Sequence, residues 1–244
     1  SSLCLDIPYF GLYGACSTSA EGLILASSLI GGGELCRCCV SVSSHNSTAE
    51  RQFRFPLEYG GQRTPTSQWT ATAAGCCILG AQAEGPYITH VTRGRIVDLG
   101  VTDMTNMGAA MAPAAFDTLR AVFRDTGTTP KDYDLIVTGD LGAVGHDLVV
   151  ELFRREGVEL ARYTDCGLLL YDREAQDMHA GGSGCGCSAA VLNGFLLGGL
   201  RQKRWKRILF APTGALLSPT SSFQGESIPG ICHAVVLAAD KEDA

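Results

Sequence analysis

The chain has 244 residues, 45% of them hydrophobic and only 18% charged, a balance that excludes a disordered segment and a coiled coil. A formal net charge of −6 argues against nucleic acid as a partner, and no stretch supplies the roughly 20 unbroken apolar residues of a membrane helix. Eleven cysteines cluster as Cys36, Cys38 and Cys39, Cys76 and Cys77, and Cys185 and Cys187, several inside apolar runs where a free thiol packs as a small hydrophobe. They lack the paired spacing of a zinc site, so no metal or cofactor is expected, and they read as thiols of a reducing compartment.

The chain enters on an apolar run at residues 3–13, which predicts a strand and, with no initiator Met or leader before it, a beginning that is missing. A helix is expected over 17–30, stopped by Gly31-Gly32-Gly33. Residues 36–42 predict a buried strand, and 43–67 a long polar segment holding His45, Glu50, Arg51, Arg54 and Glu58. Strands are expected over 69–79 and 87–99. A helix follows over 106–123, with Pro113 marking a kink or its true start. Then come a strand at 133–138, an amphipathic helix at 145–156, a helix at 187–200 after a glycine-rich turn, and strands at 207–215 and 231–238. Apolar runs of this kind suit central strands covered on both faces.

The order repeats. Cys16-Ser17 and Cys187-Ser188 each open a helix, at an offset of 171 residues that also carries Leu25 onto Leu196, Leu29 onto Leu200 and the strand at 36–42 onto 207–213. Two similar halves packed as one α/β body are predicted.

Gly14-Ala15-Cys16-Ser17-Thr18 at a strand-to-helix turn, within this doubled order, resembles the nucleophile turn of thiolases and ketoacyl synthases. Ser43-Ser44-His45, Thr48 to Arg54, Asn106 to Ala115, Thr138-Gly139-Asp140-Leu141, Ala180 to Ser188 and Thr213 to Pro219 resemble one branch closely, the stage V sporulation protein AD family, over essentially the whole chain. The resemblance implies a layered α/β/α/β/α thiolase-like fold of two βαβαβ halves. Residues 1–85 would be the remainder of a truncated first half, short of two βα units or roughly 60 residues, and 86–244 the second half.

Such enzymes need a thiolate at a helix N-terminus and imidazole or amide groups to stabilise developing charge. Cys16 suits the first role. By the resemblance, the positions of the family's His and Asn hold Gly139 and Gly182, implying a scaffold that keeps its pocket without the catalysis. The resemblance further implies a protein that binds dipicolinic acid and acts with the membrane proteins of a spore channel, in the cytoplasm or peripherally at the forespore or spore inner membrane. The alternative is an acyltransferase or condensing enzyme with Cys16 as nucleophile; a third reading is a subunit that mainly scaffolds membrane partners.

Candidate ligand-binding residues are Cys16, Ser17, Glu21, His45, Arg51 and Asp140. The turn at Cys16 is expected to offer unpaired backbone N–H groups to an anion, and His45 or Arg51 to meet a second carboxylate. Glu21, four residues after Ser17, reads equally as a solvated charge, His45 as a loop histidine, and Arg51 as half of a surface ion pair. A homodimer joined along residues 69–79 is implied by the family. The basic run 201–207 reads as a solvated helix end or as a contact with anionic lipid.

Overall fold

The computed structural model describes residues 7–53, 58, 60–82 and 84–241. Five strands make the central sheet: β4 (Tyr87–Thr92), β11 (Ala234–Ala238), β8 (Arg207–Ala211), β5 (Leu135–Thr138) and β6 (Tyr163–Asp165), in that spatial order. β6, β5 and β8 run parallel, while β11 lies antiparallel to both β8 and β4.

Apolar runs sit here because alternate residues serve opposite faces. Leu209 and Ala211 of β8 and Val236 of β11 face one core, with Met111, Leu119 and Val122 of α3 (Met107–Thr126) and Val149 and Phe153 of α4 (Gly142–Arg155). Ile208 and Phe210 of β8 and Val235 and Leu237 of β11 face the other core. There they meet Leu23 and Ile24 of α1 (Thr18–Gly31) and the long helical stretch of α6 (Cys185–Val191), a single π turn (Leu192–Leu196) and α7 (Leu197–Arg201). On their far side α1 and α6 cover a second, two-stranded sheet of β1 (Arg37–Ser44) and β3 (Ala73–Gly80), completing alternate helix and sheet layers. α1 and α6 touch where Ser19 Oγ lies 2.9 Å from Ser188 Oγ.

Several sequence expectations change in the structure. Residues 7–13 form no strand, and the rest of the strand expected at 3–13 lies outside the described residues. β1 is not a buried strand: α1 and α6 cover one face, Val42 alone is fully buried, and Cys39, Ser41 and Ser43 face outward. The polar segment contains a helix, α2 (Asn46–Phe53). The strand expected at 69–79 divides into β2 (Trp69–Thr70), which pairs with β7 (Gly182–Ser183), and β3. Likewise 207–215 breaks at Pro212, which has no N–H for a ladder, into β8 and β9 (Thr213–Ala215). β9 pairs with β10 (Gly230–Cys232). β4 ends at Thr92; at Gly94 a Cβ would overlap the Cys232 carbonyl oxygen, 1.6 Å away.

α3 is capped by the Asn106 side chain, which accepts from Ala109 N–H at 3.3 Å, and Pro113 lies inside it rather than at its start. Burial of Met111, Ala112, Ala114 and Ala115 around that proline outweighs the lost backbone bond. β6 and α5 (Cys166–Leu170) are too short to show a sequence period, and the sequence predicts neither. A last short helix, α8 (Pro219–Phe223), follows β9. No helix among the described residues is long and apolar enough to cross a membrane.

Candidate functional site

Beyond the C-terminal ends of β8 and β5, Gly214 and Asp140 lie at the turn that opens α1, the kind of position where α/β folds collect polar groups. The turn before α1 is tightly braced. Ala15 adopts the left-handed region at φ 49°, unusual for a residue with a Cβ. Ser17 Oγ donates to the Gly14 carbonyl at 2.6 Å, and Thr18 Oγ1 donates to the Ala15 carbonyl at 2.6 Å while accepting from Gly14 N–H at 3.1 Å. Ser17 N–H also bonds the Gly14 carbonyl at 3.0 Å, and Thr18 N–H the Ala15 carbonyl at 3.4 Å. So the N–H groups of Gly14, Ser17 and Thr18 are used inside the turn. The expected anion seat is correspondingly narrower, and the buried Ser17 hydroxyl shapes it rather than facing a ligand.

Opposite the turn stands β9. A Cβ on Gly214 would come within 2.6 Å of the Gly14 carbonyl and 3.2 Å of the Cys16 nitrogen, so only glycine lets the two backbones approach.

Asp140, two residues beyond β5, is fully buried. Its carboxylate accepts from Thr213 Oγ1 at 2.9 Å, Gly184 N–H at 3.0 Å and Ser183 Oγ at 3.1 Å. The Cys16 thiol lies near enough to feel this carboxylate's charge. The backbone carbonyl of Asp140 accepts from Gln68 Nε2 at 2.6 Å, and the same amide reaches the Gly182 carbonyl at 2.8 Å. Burial pushes the Asp140 carboxyl upward, against the pull of these donors. With these donors supplied by the protein, Asp140 holds the site together.

Burial pushes the Cys16 thiol well up, and the Asp140 carboxylate and Cys185 push it further. An activated cysteine needs the opposite surroundings, a neighbouring cation that favours the thiolate. Cys185, half-buried, is the second thiol here; it donates to the Ser43 carbonyl at 3.1 Å, and burial raises it too. Glu21 folds back over the turn. Its Oε2 is buried without a hydrogen-bond partner, a Cβ on Gly14 would lie 2.8 Å from it, and burial pushes its carboxyl up.

A second buried acid braces the floor. Asp165 accepts from Thr138 Oγ1 at 2.7 Å, Gly167 N–H at 2.9 Å, and the N–H groups of Leu141 and Gly142 at 3.0 Å each.

Of the residues singled out from sequence, Cys16, Ser17, Glu21 and Asp140 are thus gathered at one turn. His45, between β1 and α2, is exposed, whereas its neighbour Ser44 turns inward to accept from Gly186 N–H at 3.0 Å. The Arg51 side chain lies outside those described. Sequence reasoning missed Ser183, Cys185, Thr213 and Asp165. The first three sit in motifs already noticed, but nothing local marks them as partners of Asp140. A cleft of about 250 Å³ lined by Glu84, Tyr87, Leu200, Arg201, Lys203 and Asp240 shares no residue with this site.

A carboxylic acid beside the cysteine of a thiolase-like turn is the geometry to set against known proteins. The sequence profile of stage V sporulation protein AD matches residues 2–238. The chain belongs to the stage V sporulation protein AD family. Against stage V sporulation protein AD of Bacillus subtilis (strain 168) it is 46% identical over 233 residues, covering 95% of this chain and 69% of that protein. Among solved structures, a tetronic acid condensing enzyme matches with a TM-score of 0.57 at 16% identity, over 93% of this chain and 67% of that one. OleA of Xanthomonas campestris matches with a TM-score of 0.57 at 15% identity, over 92% and 62%. The 3-oxoacyl-[acyl-carrier-protein] synthase III of Aquifex aeolicus matches with a TM-score of 0.52 at 13% identity, over 92% and 65%. The chain therefore spans about two thirds of these proteins' length and has the thiolase-like fold; at such identity the likeness to condensing enzymes shows the fold alone.

Proposed function

We propose that this family member is a non-catalytic thiolase-fold protein that binds dipicolinic acid and acts with a membrane channel complex in its uptake into the developing spore, at the forespore or spore inner membrane. The observation that carries the non-catalytic part is the buried Asp140 carboxyl near Cys16, whose charge adds to burial in raising the thiol. A carboxylate beside the thiol opposes thiolate formation, and a general base for the cysteine would have to be a group that accepts its proton near neutral pH. Gly139 and Gly182 stand where the resemblance puts the His and Asn of condensing enzymes, which agrees with this. In the same reading residues 1–85 and 86–244 are the two thiolase-like halves, and a second copy joins along β3.

Dipicolinate is a planar dianion with a ring nitrogen between two carboxylates. Family membership supports it as the ligand. At the site, the positive end of the α1 dipole favours an anion held at the start of that helix. Calorimetric titration of this protein with dipicolinate is expected to give saturable binding. The Cys16→Trp variant, folded by circular dichroism, is expected to show none. Unchanged affinity in that variant would move the site away from the turn.

The enzyme reading makes the contrary forecast for acyl-CoA. On incubation with acetyl-CoA the intact mass is expected to stay constant, and an added acyl group that disappears in Cys16→Ala would establish Cys16 as a nucleophile.

A further inference from the structure

Five of the chain's 19 Lys and Arg residues lie within 201–207, leaving 14 basic against 25 acidic residues in the rest of the molecule. The fold gathers this run at one projecting corner, the turn from α7 into β8. Arg201, Lys203, Arg204 and Lys206 are exposed there. Two of the five cations have internal work: Lys203 Nζ pairs with Asp240 at 2.7 Å, and the half-buried Arg207 lies over the Tyr133 ring. The side chains of Arg201, Arg204 and Lys206 pair with no carboxylate among the described residues, although the Lys206 backbone N–H donates to Asp134 at 2.7 Å.

Apolar surface stands beside them. Phe195, on the π turn, is 40% exposed, packs edge-on against Trp205 with ring centroids 5.4 Å apart, and is covered on one side by the Arg204 guanidinium. Gly194 and Gly198 leave the helix surface on either side of Phe195 bare. Trp205 is anchored, its ring filling the place where a Cβ on Gly199 would stand.

We propose that this corner, with the exposed cations Arg201, Arg204 and Lys206 and with Phe195 beside Arg204, docks the protein onto an anionic lipid bilayer. The charge is of the right sign and is confined to one corner of an otherwise acidic protein, which orients the molecule at a negative surface and keeps its other faces off it. Long basic side chains reach phosphate headgroups while their stems and an aromatic ring rest at the acyl boundary. A nucleic acid fits less well, because three cations at one corner do not make a track along a phosphate backbone and the remaining surface repels it. The Cys16 site shares no residue with this corner, so the proposal does not rest on the ligand reading.

The test is co-sedimentation with vesicles of phosphatidylglycerol and phosphatidylcholine, against vesicles of phosphatidylcholine alone, at low and high salt. The protein is expected to sediment with the anionic vesicles only, and less so at high salt as the charges are screened. Arg201→Gln/Arg204→Gln/Lys206→Gln is expected to weaken that binding by about tenfold or more, with dipicolinate titration unchanged. Arg204→Glu alone serves the same purpose should the triple variant fail to fold, and Phe195→Ser is expected to weaken binding without changing its salt dependence. Equal sedimentation with neutral vesicles, no sedimentation with either, an unaffected charge variant, or binding to duplex DNA in place of vesicles would each overturn the proposal.

Discussion

Asp165→Ala is expected to destabilise the protein by about 3 kcal/mol or more, read as a lower urea midpoint, because four buried donors lose their acceptor at once. Leu141, Gly142 and Gly167 would each hold an unpaired backbone N–H, and Thr138 would keep only its contacts with the Tyr163 hydroxyl at 3.0 Å and the Thr164 carbonyl at 3.4 Å. These groups join β5, the start of α4 and the start of α5, so the loss falls on the floor beneath the Cys16 site as well as on global stability. Burial pushes the Asp165 carboxyl up from 3.8 to about 6. The folded state therefore holds this proton more tightly than the unfolded chain. Its stabilising share is complete below about pH 4 and is lost as pH rises through 6. The gap between 3.8 and about 6 corresponds to about 3 kcal/mol over that window. Asp165→Asn, which has no proton to lose there, is expected to flatten this part of the stability profile. A profile identical to that of the unsubstituted protein would assign the pH dependence to another group.

Asp140→Asn is expected to make Cys16 alkylate faster at pH 8, since removing a negative charge beside the thiol favours the thiolate. The variant keeps an acceptor for Thr213 and removes the charge that, after burial itself, contributes most to the raised thiol. Iodoacetamide labelling followed by peptide mass analysis reads the rate at Cys16 specifically. No acceleration in a folded Asp140→Asn protein would mean that burial alone silences the thiol. Acceleration without acyl transfer from acetyl-CoA would separate the two requirements, a reactive cysteine and groups that stabilise an oxyanion.

The candidate site shows which contacts a sequence conceals. Cys16 was legible, because a Gly-Ala-Cys-Ser-Thr run between an apolar segment and a helical period marks a strand-to-helix turn. Asp140 was legible as part of a motif, but its role was not: it stands 124 positions from Cys16, and only the tertiary fold, with β5 beside β8, brings them together. His45 looked as informative as either, in a polar stretch after a strand, yet the end of β1 points it to solvent while Ser44 turns in. A two-residue period decides which neighbour faces inward, and nothing local says which face of β1 is covered.

By itself the sequence determined the class of fold and its core. The runs at β5, β8 and β11 had to be strands buried on both faces, because consecutive apolar residues can escape water only where both sides of a sheet are covered. The helical periods of α1, α3 and α4 and the glycines that end or cross them were local facts of the same kind. Tertiary structure alone decided the rest: the split of long apolar runs at Pro212 and at residues 71–72, the exposed outer face of β1, and the identity of Cys16's neighbour. Each depends on close approach between segments distant in the chain. Steric fit and the demand that every buried donor find an acceptor select among arrangements that local periodicity leaves equal.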